Sequence, residues 1–305
     1  MIEDSVIEVH DLRKDYGNVT AVAGISFEVA HGEVFALLGT NGAGKTTTMD
    51  VLTGFQAPSG GSVSVLGANP LTERARIVPR MGIMLQEAGF FDGLSVGETI
   101  DAWRRFTPGA RPRAQALKIA GLERNVRTPV GRLSGGEKRR LDLTLSLLGN
   151  PDVLFLDEPT TGLDPEARRN TWELVRELNL SGMTVLLTTH YMEEAEFLAN
   201  RIAIMDRGTI VRQGSLTEVI ARSAATVTFR LPVPLGAADL PILGDAEIVS
   251  DGERVRIMTT DPQRTLFTLL GWAHAQDIEL FDIQVHSGSL EEAFLEIAAT
   301  GKVAR

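Results

Sequence analysis

The chain has 305 residues, 43% of them hydrophobic, with a formal net charge of −10 and no cysteine. That length supports one large domain or two smaller ones, each burying its own core. The acidic balance argues against sequence-independent nucleic-acid binding, which needs Lys and Arg against phosphates, and the missing cysteines exclude disulfides, thiolate metal sites and cysteine nucleophiles.

The N-terminal stretch MIEDSVIEVHDL is acidic and lacks an apolar signal core, and no segment approaches the ~18 consecutive apolar residues that span a bilayer. A soluble, cytoplasmic protein is expected, with any membrane-spanning part on another chain. Val6 to Val9 and Ile25 to Val29 alternate like strands. Val34 to Leu38 is a continuous apolar run ending at Gly39, which reads as a buried strand. A helix is expected over Lys45 to Leu52. The middle, Gln86 to Asn150, reads helical, with Ser95/Glu98 and Ser134/Glu137 each fitting a Ser-x-x-Glu capping box. Val153 to Leu156 is a second buried strand. Asp164-Pro165-Glu166 has the chemistry of a helix start: a cap, a first-position proline and a first-turn acid. Val185 to Thr189 is a third buried strand, followed by an acidic helix over Met192 to Ala199. Strands alternating with helices imply an α/β fold with a parallel sheet covered on both faces.

The pattern changes after Ala221. Pro232, Pro234, Gly236 and Pro241 mark a loop. Glu247 to Val249 and Val255 to Ile257 read as a hairpin around Asp251-Gly252. A helix over Pro262 to Ala275, a strand near Phe281 to Val285 and a final capped helix from Ser289 to about Gly301 complete a small α+β unit. The expected division is 1–221 for a first, larger domain and 222–305 for a C-terminal accessory domain.

Three motifs carry chemistry. Gly39-Thr40-Asn41-Gly42-Ala43-Gly44-Lys45-Thr46 fits the phosphate loop G-x-x-x-x-G-K-[ST], with a strand before it and a helix after it. Its glycines let backbone N–H groups turn toward phosphate oxygens, Lys45 supplies a cation, and the Thr46 hydroxyl suits Mg²⁺. The helix N-terminus adds positive partial charge beneath the phosphates. Val153 to Glu158 is an apolar strand ending in two acids. Asp157 is expected at Mg²⁺, directly or through water, and Glu158 as the general base. Leu133-Ser134-Gly135-Gly136-Glu137 offers a hydroxyl, two glycines and a helix start able to meet a second phosphate group. It is equally a capping box after a turn, and both descriptions hold together.

With these motifs in this order, the first 220 or so residues resemble the ATP-binding cassette (ABC) ATPases. The resemblance implies an ABC-type phosphate-loop NTPase domain: a mixed sheet core, an antiparallel β subdomain and a helical signature subdomain, here followed by the small α+β domain. It implies ATP and Mg²⁺ as ligands. Tyr16 matches the aromatic that stacks on adenine; Gly39 to Thr46, with Thr47, matches the phosphate loop. Gln86 matches the glutamine loop, which touches Mg²⁺ and faces the membrane partner. Ser134, Gly135, Gly136 and Glu137 match the signature, which acts in trans. Asp157 and Glu158 match the metal-and-base strand, Gly162-Leu163-Asp164 the D-loop, and His190 the switch histidine. The implied mechanism pairs two such domains head to tail around two ATP molecules. The chain has one motif set, so it forms a homodimer or pairs with a similar ATPase. Two departures stand out. Thr40 replaces a common proline, where little effect is expected because the cradle uses backbone donors. Glu137 replaces the usual glutamine, an extra carboxylate that weakens phosphate binding unless Lys138, Arg139 or Arg140 offsets it.

Thr188-Thr189-His190-Tyr191-Met192-Glu193-Glu194-Ala195-Glu196 and the closing Ser289-Leu290-Glu291-Glu292-Ala293-Phe294-Leu295 resemble the daunorubicin-resistance type of drug-export ATPase. That resemblance implies export of a hydrophobic drug or lipid through a separate transmembrane permease, with this chain on the cytoplasmic face of the membrane. Two other classes stay open from the residues. One is a non-transport ABC ATPase of translation or DNA repair, disfavoured by the single cassette, the lack of a long coiled-coil insertion and the acidic charge. The other is a regulatory ABC subunit on a membrane protein.

Overall fold

The computed structural model describes residues 5–86, 89–221, 225–286, 289–291 and 293–294. The first strands run well past their apolar runs. β1 (Ser5–Tyr16) and β2 (Val19–Ala30) form a long antiparallel hairpin. Register shifts between Val9 and Arg13, with Asp11 at φ +44°, let β1 continue through polar residues while still burying Leu12. After β3 (Val34–Gly39) and α1 (Lys45–Leu52), β4 (Gly60–Val65) adds to the free edge of β1, giving the sheet order β2-β1-β4.

α2 (Arg74–Ile77) and β5 (Met81–Met84) lead into a helical lobe of α3 (Val96–Phe106), α4 (Arg113–Ala120) and α5 (Gly135–Ser146). Both expected capping boxes are present, at Ser95/Glu98 and Ser134/Glu137. The lobe has its own core, including Ile100, Leu117, Leu122, Leu141 and Leu145.

The chain then alternates β6 (Val153–Asp157), α6 (Pro165–Leu180), β7 (Thr184–Thr189), α7 (Met192–Leu198) and β8 (Arg201–Asp206), ending in β9 (Thr209–Ser215). A six-stranded sheet follows the order β5-β6-β7-β3-β8-β9, and β5 through β8 pair in parallel. β3, β6 and β7 are buried along their whole length, as continuous apolar strands covered on both faces must be. The antiparallel sheet and the central sheet share one core, with Phe27 and Phe35 stacked at 5.0 Å between ring centroids. Register fixes the site: Asp157 lies opposite Thr188, and Leu38 opposite Thr189. The carboxyl ends of β3, β6 and β7 therefore open on one edge, where ligands bind in α/β sheets.

Residues up to Gln213 form one compact unit and residues from Gly214 a second. This division precedes Ala221, because α8 (Leu216–Ala221) is capped through Ser215 and Glu218 and groups with the C-terminal residues. The second unit contains β10 (Ala225–Arg230), β11 (Glu247–Asp251), β12 (Arg254–Thr259), α9 (Pro262–Ala275) and β13 (Phe281–His286). Its sheet order is β11-β12-β10-β13, with every pairing antiparallel. The hairpin at Gly252 and the helix from Pro262 match the sequence pattern. Leu269 of α9 packs with Val227, Phe229 and Ile257 of the sheet. A last helical turn starts at Leu290, where the Ala293 N–H donates to the Ser289 carbonyl at 3.0 Å. The expected continuation toward Gly301 lies outside the described residues, as do Glu292 and Leu295.

Candidate functional site

The loop from Gly39 to Thr46 joins β3 to α1, with Thr40, Asn41, Gly42 and Thr46 exposed and Ala43 and Lys45 buried. Gly44 sits at φ +103°, and a Cβ there would lie 2.5 Å from the Ala21 carbonyl oxygen, so only glycine fits. Thr47 is half-buried on the first turn of α1. Lys45 is 4% exposed. Its Nζ donates to the carbonyls of Gly39 at 2.9 Å and Thr40 at 3.1 Å, and lies 3.4 Å from Glu158 Oε1.

Asp157 and Glu158 follow the last apolar residue of β6. The Thr46 hydroxyl donates to Asp157 Oδ1 at 3.4 Å, and the Thr188 hydroxyl donates to the same oxygen in a shorter bond. Burial pushes the Asp157 carboxyl above its ordinary range despite those donors. Asp50 on α1 is also raised, first by burial and then by the charge of Asp157. Negative charge thus crowds this edge of the sheet, which favours a cation or its coordinated form. Glu158 adopts a left-handed backbone, φ +47°, a conformation that costs about 1–3 kcal/mol outside glycine. Its N–H donates to the Thr188 carbonyl and hydroxyl, each at 3.1 Å. Its Oε2 accepts from the Thr161 hydroxyl at 3.1 Å and lies 3.3 Å from His190 Nδ1. Burial works against the Glu158 charge, but Lys45 and His190 outweigh it and hold the carboxyl below its usual range. Glu158 is therefore a carboxylate whose charged form is favoured, between two cation-capable groups.

Thr46 and Asp157 offer hard oxygen donors of the kind Mg²⁺ prefers. Among the described residues no group of three or more His, Cys, Asp or Glu side chains converges as a metal cage.

The remaining expected residues lie around this centre. Tyr16 ends β1, is 45% exposed, and carries Lys14 Nζ 4.9 Å from its ring centroid. Gln86 is exposed, and its backbone carbonyl accepts from Arg139 Nη1 at 3.0 Å. Asp164 caps α6, accepting from the Ala167 N–H at 2.9 Å. Ser134 caps α5: its Oγ accepts from the Glu137 N–H at 3.2 Å and donates to Glu137 Oε2 at 2.9 Å. Gly136 lies against α6, where a Cβ would come 2.8 Å from Ala167, whereas Gly135 has open space. Among the described residues, Ser134 to Gly136 form no hydrogen bond with Lys45, Thr46, Asp157 or Glu158.

Glu137 is engaged in its own lobe. Oε2 takes the Ser134 N–H at 2.8 Å and Oε1 takes Asn125 Nδ2 at 3.2 Å. The Ser134 backbone donor, with help from the Arg140 charge, holds the carboxyl below its ordinary range. Of the three cations expected to offset it, Arg140 does so. Lys138 pairs with Asp92 at 3.6 Å, and Arg139 turns into the interior.

The sequence carries no sign of the contacts made by Thr188 and Thr161, and it offers Arg139 only as a cation to offset Glu137. Thr188 stands inside an apolar run, where a hydroxyl reads as a tolerated strand residue. Thr161 carried no pattern. Arg139 sits in a run of three cations, and nothing in that run separates its partners from those of Lys138 and Arg140.

A family model described as "ABC transporter" matches residues 22–161, and one described as "ABC transporter domain-containing protein-like, C-terminal domain" matches residues 225–289. The linearmycin resistance ATP-binding protein LnrL of Bacillus subtilis (strain 168) is 34% identical over 312 residues, 98% of this chain and 100% of that protein. The daunorubicin resistance ATP-binding protein DrrA3 of Streptomyces coeruleorubidus is 36% identical over 304 residues, 96% of each chain. Among solved structures, a dimeric bacterial ABC transporter cassette aligns with a TM-score of 0.63 at 25% identity, covering 69% of this chain and 98% of that one.

Proposed function

This chain belongs to the ABC transporter family of ATP-binding, ATP-hydrolysing subunits, and we propose that it powers export of a hydrophobic compound, a drug or lipid, through a separate permease. The names of the resistance relatives support the exported class, and their near full-length match supports the same division of labour. No helix among the described residues is long and apolar enough to cross a membrane. A pathway across the bilayer then requires a second chain, with this one on the cytoplasmic face.

The observation that carries the reading is the contact set at the strand ends. Lys45 meets Glu158, Glu158 meets His190, and Thr46 meets Asp157, each within 3.4 Å. Loop N–H groups and Lys45 hold the triphosphate, and Tyr16 stacks on adenine. Thr46 and Asp157, with Gln86, would hold Mg²⁺, which would supply charge neutralisation to the phosphates. Glu158 takes a proton from water as its oxygen attacks the γ phosphorus; the bond to the bridging oxygen breaks, leaving ADP and inorganic phosphate. His190 orients Glu158 and the γ-phosphate end. A triphosphate competes with Glu158 for the charge of Lys45, so ATP binding frees the carboxylate for water. Ser134, Gly135 and Gly136 close over the ATP of a second subunit, a copy of this chain or a similar ATPase, and Asp164 lies at that contact. The acidic net charge supports no nucleic-acid partner.

The test is Glu158→Gln. This variant binds ATP and elutes as an ATP-dependent dimer in size-exclusion chromatography, with hydrolysis nearly abolished. Turnover close to that of the unmodified chain would remove Glu158 from the role of base.

A further inference from the structure

The run Lys138-Arg139-Arg140 splits in space. Lys138 meets Asp92 on the surface, and Arg140 Nε donates to the Ala120 carbonyl at 3.0 Å inside the helical lobe. Arg139, 8% exposed, points away from both toward the ends of the central strands. Nε donates to the Pro159 carbonyl at 2.7 Å. Nη2 donates to the carbonyls of Glu158 at 2.7 Å and Asp157 at 2.9 Å. Nη1 donates to those of Leu85 at 2.9 Å and Gln86 at 3.0 Å. A guanidinium has five N–H donors in a rigid planar fork, and each here has a carbonyl. Asp142, one turn along α5, lies 3.6 Å from Nη1 and supplies the counter-charge.

Asp157 is the last residue of β6, and the carbonyls of Glu158, Pro159, Leu85 and Gln86 lie just past the ends of β6 and β5. Left buried without donors they would be costly. Three of them are consecutive and flank Glu158, the residue with the left-handed backbone. The other two precede and include Gln86. The fork grows from the same helix end that presents Ser134 to Gly136.

We infer that Arg139 is a positioning residue for hydrolysis, holding the backbone of Asp157 to Pro159 and of Gln86 against the signature helix so that Glu158 is aimed from the joint that meets the partner's ATP. This rests on the roles of Glu158 and the signature proposed above. The phosphate loop touches this joint through the Glu158 and Asp157 side chains but keeps its own support, since Lys45 is also held by the carbonyls of Gly39 and Thr40. Loss of Arg139 therefore affects the chemical step and leaves nucleotide capture in place. Movement of the start of α5, when it engages a triphosphate, passes through one side chain to the base and to the glutamine loop.

The experiment compares Arg139→Lys and Arg139→Gln with Glu158→Gln in the full-length chain, by steady-state ATPase kinetics, nucleotide titration and thermal melting. Lys keeps the charge and the stem but not the planar fork. Both Arg139 variants are expected to lose about tenfold to a hundredfold in kcat, the scale of a misplaced catalytic group, with KM for ATP within about threefold. Lys is expected to restore only part of what Gln loses. A kcat for Arg139→Lys within about twofold of the unmodified chain, in a variant that melts normally, overturns the inference, as does a loss carried by KM alone. If Arg139→Gln does not fold, the Lys variant decides. Normal turnover by Glu158→Gln would instead overturn the reading of the site itself, so the two failures are distinguishable.

Discussion

The phosphate-loop side and the signature side of this domain are built differently. Around Lys45 the charged groups are buried, cross-bonded and partly strained: Lys45 against Glu158, Asp157 under two hydroxyls, Glu158 in a left-handed backbone. Around Ser134 the hydroxyl and Gly135 are exposed, and the hydrogen bonds stay within the helical lobe: one capping box and Asn125 on Glu137. On the reading proposed above, the first side has the groups that bind and hydrolyse a triphosphate. The second is a prepared helix end with nothing of its own to act on. A helix start with free N–H groups favours an anion, and the nearest chemistry that suits it is a second subunit's ATP.

The comparison can be broken at four points. Glu158→Gln has the largest effect: loss of general-base catalysis lowers kcat by about a hundredfold to ten-thousandfold, read by phosphate release, with ATP still bound. A small loss would mean that the strained carboxylate is structural. Lys45→Ala comes next. Removing charge-assisted bonds to phosphate weakens ATP affinity by about tenfold to a hundredfold in a titration. Unchanged affinity would detach the loop from the nucleotide.

Asp142 sharpens the link between the two sides through stability. Burial pushes its carboxyl from 3.8 up to about 6, with Arg139 pulling the other way. An acid raised in the fold stabilises most as the neutral form. Its contribution is therefore fully present below 3.8 and is lost as pH rises through about 6. The shift corresponds to about 3 kcal/mol. Asp142→Asn is thus expected to gain stability relative to the unmodified chain as pH rises from about 5 to about 8, read as the difference in Tm. A difference independent of pH would contradict this. The smallest effect is at Glu137. Glu137→Gln keeps the cap but removes a half-buried charge from the signature, and the ATP concentration for half-maximal turnover falls by about threefold or less. A rise would show that the carboxylate helps closure.

The legibility of each part in the sequence depends on where its signal lies. The loop, Asp157, Glu158 and His190 were readable because each ends a continuous apolar strand, and strand ends gather at one edge. The helices from Ser95 and Ser134 were readable because capping boxes are local chemistry. The extent of β1 was hidden, because a bulge around Asp11 absorbs polar residues that interrupt the alternation. β5 was hidden by its shortness, Met81–Met84. Arg139 was hidden for a deeper reason: its partners are backbone carbonyls, which carry no residue identity. The resemblance to ABC ATPases supplied what spacing alone leaves open, namely that the signature serves another chain's nucleotide.

That last point is the centre of the account, and mixed subunits test it most directly. Lys45→Ala removes the loop of one chain, and Ser134→Ala removes the signature hydroxyl of the other. Each variant alone hydrolyses ATP poorly. In a mixed dimer, the intact loop of the Ser134 variant faces the intact signature of the Lys45 variant, restoring one complete site. The account predicts that ATPase activity of the mixture rises above either parent. Activity that stays at the average of the two would contradict it, and would confine each site to a single chain.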